Sequence, residues 1–229
     1  MPEAFMIEDD VVLGIAHVPD GVEMRLVQHG EGFTILLEDN ELMSTEASAS
    51  EEALATMTCE RLGDREAIQM LVGGYGMGFT LRAALAAMGD DSSVVVCEIV
   101  PEIVEWAIGP MRNITQGCLD DPRVALIEED VALLIDAARE GYDAILLDVD
   151  NGPEGLTRWQ NDGLYSRDGL DKAKRALRPG GIMAVWSAWR DPAFTVRLEE
   201  AGFNVSTVAA RARPDCNDLL HFIWFAQKP

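Results

Sequence analysis

AIQMLVGGYGMGFTLRAALAAM, residues 67–88, sets an apolar run, glycines at positions 74, 76 and 78, and a second apolar run back to back. AIQMLVG (67–73) has the make-up of a buried strand and FTLRAALAAM (79–88) that of a helix. Glycine weakens both kinds of element, so glycines packed between them mark backbone that bends sharply or approaches a ligand. The spacing separates the nucleotide-binding turns. A dinucleotide fingerprint, G-x-G-x-x-G, counted from Gly74 puts its third glycine on Phe79, and a phosphate loop needs Gly-Lys-Ser/Thr where no lysine is near. What remains is G-x-G-x-G, a turn that lets backbone approach a nucleoside with an amino-acid-like tail.

Strand-like and helix-like segments alternate from this turn to the end of the chain. SVVVCEI (93–99), RVALI (123–127), YDAILLDV (142–149) and GIMAVWSA (181–188) read as strands. Helices are expected from Pro101, over 131–139, over 164–177 and over 192–203. NVSTVAA and HFIWFAQ follow without a helix between them, which predicts an antiparallel hairpin at one sheet edge. The pattern predicts an α/β fold: a doubly wound, Rossmann-like sheet of seven strands with helices on both faces. VVLGIAHV (11–18), VEMRLVQ (22–28) and GFTILLEDNELM (32–43) read instead as short strands joined by tight turns, a small N-terminal antiparallel β unit. The division expected is 1–47 for that unit and 48–229 for the α/β domain. Ser48-Ala49-Ser50-Glu51 has the capping-box pattern and opens a helix through Leu62.

Composition narrows the function. Forty acidic against eighteen basic residues give a formal charge of −22, which repels phosphate backbones and argues against nucleic acid as a partner. No apolar run reaches the roughly 18 residues of a membrane span, and the acidic start lacks the basic segment of a secretory signal. Cys59, Cys97, Cys118 and Cys216 are widely spaced and read as reduced thiols of a cytoplasmic protein. His17, His29 and His221 are scattered, without metal-ligand spacing, so no metal is expected and the histidines read as structural.

In a doubly wound sheet the ligand lies beyond the carboxyl ends of the strands, where the glycine turn falls. Glu98 ends the next strand, where a carboxylate can accept hydrogen bonds from ribose hydroxyls. Asp130 follows the third strand, where it can meet an adenine amino group, and Asp148 ends the fourth.

LVGGYGMGFTLRAAL, VVVCEIVPEIVEWA, YDAILLDVDNGPEG, LYSRDGLDKAKRALRPGGIMAVWSA and RLEEAGFNV together resemble the spermidine synthase-like family, polyamine aminopropyltransferases on the class I S-adenosylmethionine-dependent methyltransferase fold. The resemblance covers most of residues 10–229, the leading β unit included. It implies a ligand that is S-adenosylmethionine or its decarboxylated form, with methylthioadenosine as product, a small acceptor bearing a cationic amine, and assembly as a homodimer. By it Gly74, Tyr75, Gly76 and Gly78 line the cofactor, Glu98 holds the ribose, Asp130 the adenine, and Asp148 stands at the reacting centre. An alkylamine of pKa roughly 10 attacks a sulfonium carbon only after losing a proton, which Asp148 can accept.

The chain departs from the family's pattern on the acceptor side. Met77 stands where the glycine motif keeps an aspartate. The family's D-S-x-D-P becomes Asp148-Val149-Asp150-Asn151-Gly152-Pro153, so the second aspartate corresponds to Asn151, with Asp150 beside it. The family's upstream glutamine, tyrosine and histidine correspond to Leu42, Ser50 and Glu51, while its glutamate is kept as Glu52. Met77, Asp150, Asn151 and Tyr165 are the substrate-side candidates, and Trp186 and Trp189 either line an acceptor pocket or pack in the core. Loss of an aspartate at 77 tilts the expectation slightly towards S-adenosylmethionine and methyl transfer over aminopropyl transfer. A catalytically idle nucleoside-binding protein is the alternative class.

Overall fold

The computed structural model describes residues 10–19, 21–149, 152, 161–213 and 220–229. Asp150, Asn151 and Cys216 lie outside them. The first strands β1 (Val11–His17), β2 (Glu23–His29), β3 (Gly32–Leu37) and β4 (Asn40–Ser44) form an antiparallel meander in that order. Helix α1 (Ala49–Leu62) follows with the expected bounds, but the capping box is not made. Ser48 forms no side-chain cap; its hydroxyl donates to Glu52 Oε1 at 3.2 Å, and Glu51 is turned elsewhere.

The seven remaining strands are β5 (Gln69–Gly73), β6 (Ser93–Glu98), β7 (Val124–Glu128), β8 (Tyr142–Leu147), β9 (Leu177–Ser187), β10 (Asn204–Arg211) and β11 (Leu220–Gln227). They form one sheet in the order β10-β11-β9-β8-β5-β6-β7. Strands β9, β8, β5, β6 and β7 run parallel, and β11 pairs antiparallel with both β9 and β10, which is the expected edge hairpin. Chain order reverses at β5, which lies between β8 and β6.

Side chains alternate between the two faces of this sheet. Met70, Val72, Ala144 and Leu146 join one core together with α1, α2 (Phe79–Ala87) and α3 (Pro101–Ile108). Leu71, Ile145 and Leu147 join the other, with α5 (Val131–Ala137), α7 (Arg167–Ala176) and α8 (Pro192–Glu200). The central strands are therefore apolar on both sides, as their continuous sequences require. The small sheet contributes Leu26, Ile35 and Leu37 to the first of these cores, so both sheets share one apolar interior.

Two short turns of helix, α4 (Arg112–Thr115) and α6 (Asn161–Tyr165), and a 3₁₀ turn at Cys118–Asp120 are also present. The single helix expected over 164–177 is divided. Ser166 adopts an extended conformation and its hydroxyl oxygen accepts the Gly169 N–H at 3.2 Å, capping α7 and ending α6. Leu177 already belongs to β9. No described helix is long and apolar enough to cross a membrane.

Candidate active site

The glycine turn leaves the carboxyl end of β5 with Gly74, Gly76 and Gly78 all in the left-handed region, at φ +85°, +54° and +76°. Backbone bonds fix it to both neighbouring strands: Gly74 N–H donates to the Cys97 carbonyl and Asp148 N–H to the Gly73 carbonyl, each at 2.9 Å. A Cβ on Gly74 would collide with the Asp148 carbonyl oxygen. One on Gly76 would meet the Met43 thioether at 2.7 Å, so the turn packs directly against the small sheet.

Glu98 ends β6, 5% exposed, and accepts backbone N–H groups with both oxygens: Tyr75 at 3.0 Å on one, Ile99 at 2.8 Å and Val100 at 2.9 Å on the other. Burial pushes its carboxyl up and these amides hold it down. The arrangement locks the turn to the strand beside it. Asp130 caps α5, with Oδ1 accepting the Ala132 N–H at 2.8 Å, and Glu129 Oε1 accepts the Asp130 N–H at 2.9 Å.

Asp148 follows β8. The Thr80 hydroxyl donates to its Oδ2 at 2.7 Å. Burial pushes this carboxyl up to about 6, against the lowering effect of Thr80. Glu51, on the first turn of α1 and 5% exposed, is pushed up to about 8, by burial first and then by the charge of Asp148. Its Oε2 accepts from the Ser50 hydroxyl at 2.6 Å. Ser50 Oγ in turn lies 3.0 Å from Trp186 Nε1, which donates to it, and 2.8 Å from His221 Nδ1.

These groups surround one cleft of about 890 Å³, its solvent-open mouth included, between the small sheet and the strand ends. Its charged lining residues are Glu51, Glu98, Glu129, Asp130 and Asp148, all acids. Val18, Met24, Ile35, Leu42 and Met43 supply an apolar wall from the small sheet and its turns. Among the described residues no group of His, Cys, Asp and Glu has a metal-binding arrangement.

The structure thus brings Gly74, Gly76, Glu98, Asp130 and Asp148 to one cleft, with Trp186 also on its lining. Gly78 sits one step back, as the residue that turns the chain into α2. Three side chains go elsewhere. The Tyr75 phenol is buried, its oxygen 3.4 Å from Cys118 Sγ, and only its backbone N–H serves the site. Met77 is fully buried in the core shared by the two sheets, and left-handed glycines on either side turn it inward, away from the cleft lining. Tyr165 is packed edge-on to Phe194, ring centroids 5.5 Å apart, in the opposite core. Cys59, Cys97 and Cys118 are free and buried. Glu51 and Glu129 bring further carboxyl groups to the cleft and were not among the expected site residues; an acid following another strand-end acid was the available signal for Glu129.

Known proteins share sequence and fold with this chain. Residues 50–199 match the family model described as the spermine/spermidine synthase domain. Polyamine aminopropyltransferase 2 of Pseudomonas aeruginosa is 30% identical over 155 residues, covering 66% of this chain and 42% of that protein. Polyamine aminopropyltransferase of Mycobacterium tuberculosis is 35% identical over 120 residues, covering 51% of this chain and 22% of that protein. The chain therefore spans less than half the length of these relatives. A crystal structure of spermidine synthase from Thermotoga maritima superposes with a TM-score of 0.74 at 17% identity, over 95% of this chain and 73% of that one. One of spermidine synthase with the transition-state analogue AdoDATO gives 0.73 at 17% identity, over 95% and 72%. The fold expected from the strand–turn–helix pattern is the fold found, and the chain belongs to the spermine/spermidine synthase domain family.

Proposed function

We propose that the protein transfers an aminopropyl group from decarboxylated S-adenosylmethionine to a small amine, with Asp148 as the base. The observation that carries this reading is the acidity of the cleft: Glu51, Glu98, Glu129, Asp130 and Asp148 line it, and no described Lys, Arg or His does. A nucleoside that has lost its carboxylate and ends in an ammonium suits such a field, whereas the carboxylate of S-adenosylmethionine is repelled by it. The tilt towards methyl transfer drawn from Met77 loses its footing, because that side chain does not line the cleft.

The residues fit the nucleoside. Gly74 and Gly76 lack the side chains that would fill the approach to the turn, Glu98 is held rigidly where ribose hydroxyls can donate to it, and Asp130 stands at the adenine position. When bound, the sulfonium nucleoside supplies an activated alkyl carbon: the nitrogen–carbon bond forms as the carbon–sulfur bond breaks with its electron pair going to sulfur. Asp148 holds the attacking amine and takes the proton it loses. Burial strengthens Asp148 as a base, while at pH 7 a carboxyl of about 6 is still mostly ionised and able to accept. The small sheet lines one side of the cleft with apolar side chains. As in the family, the reading extends to a cytoplasmic homodimer.

Calorimetry with the two nucleosides, followed by turnover with a panel of short amines read as methylthioadenosine release, tests the proposal. Tighter binding of the decarboxylated nucleoside with turnover is expected. Tighter binding of S-adenosylmethionine with a methylated product assigns methyl transfer instead, and nucleoside binding without turnover of any amine leaves a binding protein.

A further inference from the structure

The reaction just proposed engages Asp148 and leaves without a task Glu51, a buried acid of the same cleft that interacts with it. Glu51 is not placed there by its helix. A first-turn glutamate of α1 can serve the helix N-terminus, but this one is 5% exposed, lines the cleft and repels Asp148.

Its orientation is built by three further side chains. Ser50 Oγ has one hydrogen to give and two lone pairs to receive with. When Glu51 is ionised the hydrogen goes to its Oε2 at 2.6 Å, and one lone pair takes Trp186 Nε1–H at 3.0 Å, a group that can only donate. In that state the remaining lone pair faces His221 Nδ1 at 2.8 Å, and the imidazole nitrogen carries the hydrogen. Burial pushes the His221 imidazole down to about 4, so the ring is neutral and this tautomer is its donor to Ser50. Trp186 stands edge-on to the same ring, centroids 4.7 Å apart. With Glu51 ionised, every hydrogen-bonding capacity of the serine is used and its hydroxyl hydrogen points at Glu51. The relay joins α1, β9 and β11, across 171 residues of sequence between Ser50 and His221.

We infer that Glu51 is a second recognition carboxylate of this cleft, which binds an alkylammonium group together with Asp148 and is aimed by Ser50, Trp186 and His221. The inference rests on the function proposed above and adds a residue to it. A cation between the two acids relieves their mutual repulsion, which gives the pair a preference for organic cations over neutral molecules of the same shape. Asp148 then handles the proton of the attacking nitrogen, and Glu51 fixes the charge. The carboxylate missing at Met77 is thereby supplied from a different element.

Calorimetry on the full chain saturated with 5′-methylthioadenosine, titrated with linear diamines from 1,3-diaminopropane to 1,5-diaminopentane, tests this without requiring turnover. Wild type is expected to bind at least one diamine, and Glu51→Gln to bind it at least about tenfold more weakly while its affinity for methylthioadenosine is unchanged. Ser50→Ala, which leaves the carboxylate but removes its guide, is expected to fall between them, and Glu51→Asp to recover part of the loss. Diamine binding that Glu51→Gln leaves unchanged, or no diamine binding by wild type, overturns the inference. Failure of methylthioadenosine itself to bind overturns the proposed function instead. In turnover, Glu51→Gln is expected to raise KM for the amine with little change in kcat, a split that a merely structural role does not produce.

Discussion

The Thr80 hydroxyl lies 2.7 Å from Asp148 Oδ2 and 3.2 Å from the carbonyl oxygen of Glu51, so a single proton stands between the carboxylate of one acid and the backbone of the other. While Asp148 is ionised, the shorter contact takes that proton. Thr80 is itself buried, at 2% exposure, and no solvent competes for it. A threonine at the start of α2 thus helps set the basicity of the residue that follows β8.

Replacing Thr80 by valine removes this donor at nearly constant volume. The Asp148 carboxyl, already pushed up to about 6 by burial, then rises further because the hydrogen bond holding it down is gone. The acid limb of the kcat–pH profile is expected to move to higher pH. An unmoved limb would show that Asp148 is not the group that titrates there.

Asp148→Asn keeps the shape and removes the base. Turnover is expected to fall by roughly 10²–10⁴-fold, while methylthioadenosine binding measured by calorimetry stays within a few-fold of wild type. Unchanged turnover would remove Asp148 from the mechanism.

Stability responds to the same two acids. A carboxyl pushed up on folding binds protons that the unfolded chain has already released, so its contribution is full below the ordinary carboxylate range and is lost as pH rises through the folded value. For Asp148 that loss runs up to about pH 6, and for Glu51 up to about pH 8. Glu51→Gln removes the larger of these contributions. Thermal melts from pH 5 to 9 are expected to show the variant losing less stability than wild type as pH rises, with the gap widest near pH 8–9. Parallel pH dependences would contradict a buried acid at position 51.

Glu98→Ala leaves the N–H groups of Tyr75, Ile99 and Val100 without their acceptor. Each buried donor left unmet costs about 1–3 kcal/mol, so urea unfolding is expected to show a loss of at least about 3 kcal/mol unless water enters the gap. Nucleoside binding should fail along with it. Glu98→Gln, which retains one acceptor oxygen, is expected to lose less of both.

Much of this site could be read along the chain because its acids follow strands at fixed positions. Glu98, Asp130 and Asp148 lie at or just after the carboxyl ends of β6, β7 and β8, and strand ends are marked by the apolar runs before them. Side-chain direction inside the glycine turn was not legible. The family resemblance puts Tyr75 and Met77 at the ligand, but the left-handed backbone at the glycines sends both side chains into the core. Glu51 was hidden for another reason. Locally Ser48-Ala49-Ser50-Glu51 reads as a helix cap, and the bonds that tie Ser50 to the glutamate and to His221, 171 residues away, are not visible in the local sequence. Trp186 gave a partial signal, as an aromatic at the end of a strand, and it serves both the lining and the relay.

The contact of Met43 with Gly76 has a consequence for how such a protein can diverge. The acids of the cleft come from α1 and the large sheet, whereas the wall facing them comes from short strands that carry no charge into it. Substitutions at Leu42 or Met43 can therefore reshape the room left for an acceptor while the proton-handling residues stay untouched. Selection for a new amine has a surface on which to act that is separate from the one on which catalysis depends, and relatives with the same acids need not share a substrate.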